Sequence, residues 1–189
     1  MKKLFLAAFA LLVYGGAVAQ EAGQIRLSPG FIYGSKAGVE EVSSGASFDV
    51  DEKGQIGGSA SIEIFPVDRF SVVGTYEIYL NSDFEDPAFN FSSRYSVINI
   101  DARYIFLDQL VDLYLMGGVA MAKVDFEIED TFSGTTAESD DSETGFNAGA
   151  GILVPLSDTV SFNGQVKYQS AFDGQIVAGV GISFTILQF

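Results

Sequence analysis

Along most of this chain apolar residues recur at every second position. The clearest case is the stretch from Val160 to Phe189. Val160, Phe162, Val166 and Tyr168 alternate with Ser161, Asn163, Gln165, Lys167 and Gln169. After Asp173-Gly174, Ile176, Ala178, Val180, Ile182, Phe184 and Ile186 alternate with Gln175, Gly179, Gly181, Ser183 and Thr185. Period two marks a strand with one oily face and one polar face. Each strand is long enough to cross a bilayer when tilted, which takes about 9–11 residues. A polar face carrying Lys167 and several amides suits the inside of a barrel whose oily face meets lipid.

The same pattern predicts six earlier strands: Gln24 to Ser35, Gln55 to Phe65, Phe70 to Leu80, Arg94 to Phe106, Val111 to Glu127 and Gly145 to Leu156. Long polar gaps at Lys36–Lys53, Asn81–Ser93 and Ile128–Ser142 alternate with short ones at Pro66–Arg69, Leu107–Leu110 and Ser157–Thr159. Asp173-Gly174 is the one short connection on the long-loop side. Long extracellular loops and short periplasmic turns are the layout of an outer-membrane barrel, and closure spares the backbone unpaired groups in lipid. The expected fold is all-β, an eight-stranded antiparallel up-and-down transmembrane barrel. An even strand count puts both termini on the periplasmic side. No segment beyond the N-terminus is apolar enough for a transmembrane helix.

Phase assigns six charged residues to the interior: Arg26, Arg103 and Lys167 against Glu63, Glu77 and Asp101. An eight-stranded barrel is just wide enough inside for side chains to fill it. Breaking one buried pair costs about 3–5 kcal/mol, so the expectation is a plug of ion pairs. Gly118, Ala120, Gly149, Gly151, Gly179 and Gly181 would make room for it, small opposite large. The rival is a narrow or gated water path through the same residues.

The N-terminus reads as a secretion signal over 1–19: Lys2 and Lys3, an apolar core from Leu4 to Val13, and a small-residue cleavage site at Ala17-Val18-Ala19. The barrel domain is then 20–189. The chain has no cysteine and no histidine, which removes disulfides, thiol chemistry and any Ser-His pair. Paired carboxylates alone can do acid–base work, but nothing here outlines a substrate cleft. No enzyme and no cofactor are expected. A net charge of −15 argues against nucleic acid as a partner. The run Glu138-Ser139-Asp140-Asp141-Ser142-Glu143 is a weak candidate for a divalent cation, because it lacks the spacing of a dedicated calcium loop. Lys36, Lys53, Arg94 and Lys123 fall near the upper rim, where lipopolysaccharide phosphates and the loop acids are alternative partners. Tyr33, Tyr76, Tyr95 and Tyr104 are candidates for the interfacial aromatic girdles.

With its strand layout, the stretch Phe146-Asn147-Ala148-Gly149-Ala150-Gly151 after an acidic loop and its aromatic end, the chain resembles the small outer-membrane β-barrel family. The type is that of the OmpA transmembrane domain and OmpX, often labelled porin family, and the resemblance covers Gln24 to Phe189. It implies a monomer in outer-membrane lipid and lipopolysaccharide, handled by the outer-membrane assembly machinery. Such barrels end in an assembly signal of polar–x–Gly–x–x–apolar–x–apolar. Gly181, Phe184 and Ile186 fit it, with Gly179 in the polar place; Phe189 falls in the opposite phase. Either Phe184 and Ile186 or Phe189 is read, or a bulge reconciles them. The functional expectation is a non-enzymatic scaffold with a plugged lumen and acidic loops facing the medium. The alternatives are a small diffusion channel and a soluble secreted lipocalin-type binder. Outward oil and the lack of Trp for a Gly-x-Trp signature count against the last.

Overall fold

The structure is a computed structural model that describes residues 22–44, 48–85, 89–108, 110–131 and 136–188. The candidate secretion signal and Phe189 lie outside these. The described strands are β1 (Gln24–Ser44), β2 (Phe48–Val67), β3 (Phe70–Tyr79), β4 (Ser82–Glu85), β5 (Phe89–Leu107), β6 (Asp112–Asp130), β7 (Thr136–Pro155), β8 (Val160–Gln169) and β9 (Gln175–Gln188). All neighbours are antiparallel, in the order β3-β2-β1-β9-β8-β7-β6-β5, and β3 pairs with β5 to close the ring. Eight strands form that ring. The ninth, β4, continues the line of β3 along β5 after a one-residue offset, from Ile78↔Ser96 to Ser82↔Ser93.

The alternation behaves as the sequence predicts. On β3 every second residue is buried, from Ser71 to Tyr79, while Val72, Tyr76 and Ile78 are exposed on the outside. On β6, apolar on both faces, Tyr114, Met116, Ala120 and Ala122 are buried and Leu115, Val119 and Met121 point outward. Leu27, Phe31, Ile62, Ile100, Phe146 and Val180 continue this outer apolar belt on neighbouring strands.

The strands differ from expectation in length. The segments read as long loops are mostly strand: β1, β2, β5, β6 and β7 run 19 to 21 residues. A 20-residue strand rises about 65 Å, against a hydrocarbon core of about 30 Å. Three hairpins therefore continue as β-ribbons well beyond the belt. At the other end the turns are short. Asp68 and Arg69 connect β2 to β3, with Arg69 at φ 63°, and Asp68 Oδ1 accepts from the Ala22 amide at 3.1 Å. Pro66 lies inside β2, beside a register shift between Ile64 and Val67, not in the turn itself.

The seam between first and last strands carries one bulge. Ile25 opposes Leu187 but Arg26 opposes Thr185, so Ile186 is the extra residue. Beyond it Leu187 shares the phase of Ile25, and both Ile186 and Leu187 are exposed. A bulge inserted this way shifts the side-chain phase by one residue.

Candidate functional site

All six charged residues assigned to the interior are buried, five of them at 3 % exposure or less and Arg26 at 8 %. They fall into groups. Arg103 Nη1 meets Glu63 Oε1 at 3.1 Å, and the same oxygen accepts from Ser71 Oγ at 2.6 Å. The Arg103 guanidinium stacks 4.1 Å from the Tyr114 ring centroid, and Tyr114 donates its hydroxyl to Asn163 Oδ1 at 2.7 Å. Higher in the bore, Lys167 Nζ meets Glu77 Oε1 at 2.6 Å. Gln169 Nε2 donates to Glu77 Oε2 and to Asn99 Oδ1, both at 3.0 Å.

Asp101 and Arg26 are not brought into either ion pair. Asp101 Oδ1 accepts from Asn147 Nδ2 at 3.0 Å, and the same nitrogen reaches Asn99 Oδ1 at 2.9 Å. Arg26 lies opposite Glu63 in the β1–β2 ladder. Its guanidinium, however, sits 4.5 Å from the Phe65 ring centroid and donates to Gln24 Oε1 at 3.1 Å, toward the turn end of the barrel. There Asp112 opens β6. Burial pushes the Asp112 carboxyl above the usual carboxylate range, Asp108 adds to this, and Arg26 opposes it.

The glycines explain how these groups fit. A Cβ on Gly118 would come within 2.6 Å of Asp101 Oδ1, and one on Gly149 within 2.6 Å of Lys167 Cβ. One on Gly151 would strike the Tyr114 ring. Asp101, Gly118 and Asn147 form one row across β5, β6 and β7, so the carboxylate and the amide meet over the bare glycine.

Apolar clusters close the polar section at both ends. Toward the turns, Phe65, Ile105, Tyr114, Met116 and Leu153 pack together. Toward the ribbons, Ile32, Ala37, Tyr79, Tyr95, Val97 and Val177 pack with Phe172 against them. Tyr79 and Tyr95 lie 5.3 Å apart between ring centroids, and Tyr95 and Phe172 6.2 Å apart, edge to face. Phe172 gets there because Phe172, Asp173 and Gly174 all adopt positive φ (49°, 61° and 78°), which folds the last connection inward. Its amide is held by Glu143 Oε2 at 3.0 Å. These seals were not legible as a site in the sequence. Tyr95, expected in an outer girdle, points inward because it shares the odd phase of Asn99 and Asp101 on β5. Against the wall of β1, β2 and β9 the bore keeps one polar gap of about 20 Å³, lined by Ser28, Ser61, Thr75, Asn163 and Gln165.

Above the belt the β6–β7 ribbon has a different character. Thr136 to Thr144 are all exposed. The β7–β8 ladder begins only at Asn147↔Gln169, so among the described residues the outer edge of β7 from Thr136 to Thr144 pairs with no strand. On the outward face Asp125 opposes Asp140 and Glu127 opposes Glu138. Lys123 lies between the first two, 2.6 Å from Asp125 Oδ1 and 3.8 Å from Asp140 Oδ2. Its hydrogen bond to Asp125, with Asp140 close by, holds it above the usual lysine range. Arg94 donates from Nε to Asn81 Oδ1 at 3.1 Å. The run Glu138 to Glu143 does not converge on a cation, because an extended strand sends alternate carboxylates to opposite faces. Among the described residues no three acidic side chains are grouped to hold a metal.

Comparisons agree with this architecture. Residues 5–188 match the model of the outer membrane protein beta-barrel domain family. Among solved structures, the attachment invasion locus protein Ail of Yersinia pestis, in complex with the heparin analogue sucrose octasulfate, superposes with a TM-score of 0.60 at 16 % identity, over 86 % of this chain and 98 % of that one. The outer membrane protein OprG of Pseudomonas aeruginosa gives 0.55 at 12 % identity over 88 % and 97 %. The N-terminal β-barrel domain of OprF from the same organism gives 0.53 at 16 % over 86 % and 97 %. No curated protein sequence is significantly similar to the chain. Identities this low speak for fold alone, but the family model spans nearly the whole sequence: the chain belongs to the outer membrane protein beta-barrel domain family.

Proposed function

We propose that this chain is a non-enzymatic surface scaffold of the outer membrane, a plugged barrel that holds β-ribbons above the lipid. One observation carries the reading: strands about twice the length a membrane requires, with an exposed β7 whose outer edge, from Thr136 to Thr144, pairs with no strand among the described residues. Free strand edges are templates for adding an extended partner segment. In this reading the residues 1–19 direct secretion and both termini lie in the periplasm. The last strand, with Gly181, Phe184 and Ile186, and the Phe189 that follows it in sequence, is what the assembly machinery reads. Lipopolysaccharide surrounds the upper belt, and Arg94 and Lys123 form the first cationic layer above it.

The ribbon's chemistry narrows the partner. Its outward face sets Asp125, Glu127, Glu138 and Asp140 against Arg94 and Lys123. The heparin analogue bound by the Ail structure is a polyanion, and this acidic surface would repel one. A cationic, extended polypeptide fits better, since complementary potentials govern encounter and specificity.

Maleimide labelling tests the placement cleanly, because the chain has no cysteine of its own. Ser139→Cys is expected to label on intact cells and Ser157→Cys only after the outer membrane is permeabilised. The reverse pattern, or labelling of neither, would refute the topology. A second reading, a small diffusion channel, draws on the polar gap beside the plug. Under it, liposomes carrying the refolded barrel swell in isosmotic small polar solutes.

A further inference from the structure

The charges of the central lumen do not balance. Among the described residues, three carboxylates, Glu63, Glu77 and Asp101, and two cations, Arg103 and Lys167, lie between the two apolar clusters. Each cation is engaged by its own carboxylate, Arg103 by Glu63 at 3.1 Å and Lys167 by Glu77 at 2.6 Å. Arg26 is held at the turn end, over Phe65 and against Gln24. The remaining unit of negative charge belongs to Asp101, which is 1 % exposed. Arg103 and Lys167 are within electrostatic reach of it, yet among the described residues its one hydrogen-bond donor is the Asn147 amide. An isolated buried charge is expensive enough that something neutralises it.

Two oxygens are available to do so. Asp101 Oδ2 and Asn147 Oδ1 are buried and accept no hydrogen bond among the described residues. They belong to adjacent side chains joined through Asp101 Oδ1 and Asn147 Nδ2, and Asn147 is itself 3 % exposed. We propose that Asp101 and Asn147 form an internal site for one monovalent cation, a sodium or potassium ion, completed by lumen water. A divalent ion would overshoot the single charge. It would also want several carboxylates, which the described residues do not group. The site is independent of what the ribbons bind.

The test is thermal unfolding of the refolded, detergent-solubilised barrel at pH 7.5. Sodium, potassium and N-methylglucamine chlorides are compared at equal ionic strength. The bulky organic cation is too large for a site inside the bore. The unfolding temperature is expected to be about 3–6 °C higher in sodium or potassium once the ion is tenfold above its Kd, and to saturate with concentration. Asp101→Asn is expected to abolish that increment, while Glu138→Gln on the ribbon keeps it. Equal unfolding temperatures in all three salts would overturn the site, and this arm decides alone if Asp101→Asn does not fold. So would an Asp101→Asn variant that keeps the increment. Acidification is expected to shrink the sodium increment, because a proton would occupy the same carboxylate.

Discussion

The lower and upper halves of the β6–β7 hairpin are one continuous ladder with two kinds of side chain. From Leu113↔Ile152 to Val119↔Phe146, outward residues are oily and inward ones are small, polar or part of the plug. From Lys123↔Ser142 upward the ladder continues without change of register, but alternation stops. In the lower half both edges are paired and the inner face is buried. In the upper half β7 has a bare edge, and like charges oppose one another at Asp125↔Asp140 and Glu127↔Glu138. Backbone hydrogen bonding, once a register is established, carries the strands on where side chains no longer reward it. The side-chain code records where the membrane is, and the ladder records how far the hairpin reaches.

The contrast breaks most visibly at Glu77. Glu77→Ala strands Lys167 in the bore and is expected to cost about 3–5 kcal/mol. Glu138→Ala in the ribbon should fall within about 0.5 kcal/mol of the parent, as exposed substitutions do. Denaturant unfolding of both variants in detergent compares them directly. Equal effects would mean the lumen pairs are solvated.

A charge on the outer face sharpens the boundary between the halves. Ile100→Arg, within the belt, is expected to cost about 2–4 kcal/mol of folding into bilayers. Ser92→Arg, on the same face of the same strand but above the belt, should fold like the parent. If Ile100→Arg folds equally well, the belt does not contact lipid at that height.

The smallest effect is at the turn end. The Asp112 carboxyl is raised in the folded protein, chiefly by burial. A carboxyl raised on folding carries no penalty while it is protonated in both states, below its ordinary value of 3.8. The penalty grows as pH climbs through that value and is complete above the folded value. Asp112→Asn should therefore leave stability unchanged near pH 3 and raise it slightly at pH 7. A variant less stable at pH 7 would show that Asp112 is needed as an anion beside Arg26.

This division also explains what the sequence revealed. Phase was legible on most strands, because period two survives in every membrane half; Tyr95 is an exception, expected in a girdle although it sits in the inward phase of Asn99 and Asp101. Strand ends were not, because Lys36–Lys53 and Ile128–Ser142 are polar on both sides and look like loops. Burial of the charged residues followed from phase, but their pairing did not. Glu77 on β3 and Lys167 on β8 meet across the bore, with no ladder between them. Which residues share a height depends on the stagger of the strands around the barrel. The upper seal was hidden for another reason: Phe172 reaches Tyr95 only because the last connection turns inward at three positive-φ residues.

Single-channel recording most directly tests the proposed closed bore beneath open ribbons. The refolded barrel, residues 20–189, is placed in a planar bilayer at moderate salt, with insertion verified separately by protection of the membrane half from protease. A silent bilayer is predicted, because Phe65, Ile105 and Leu153 below and Tyr79, Tyr95 and Phe172 above fill the bore on either side of the ion pairs. Discrete, reproducible openings in the parent protein would contradict it and make the lumen a conducting path.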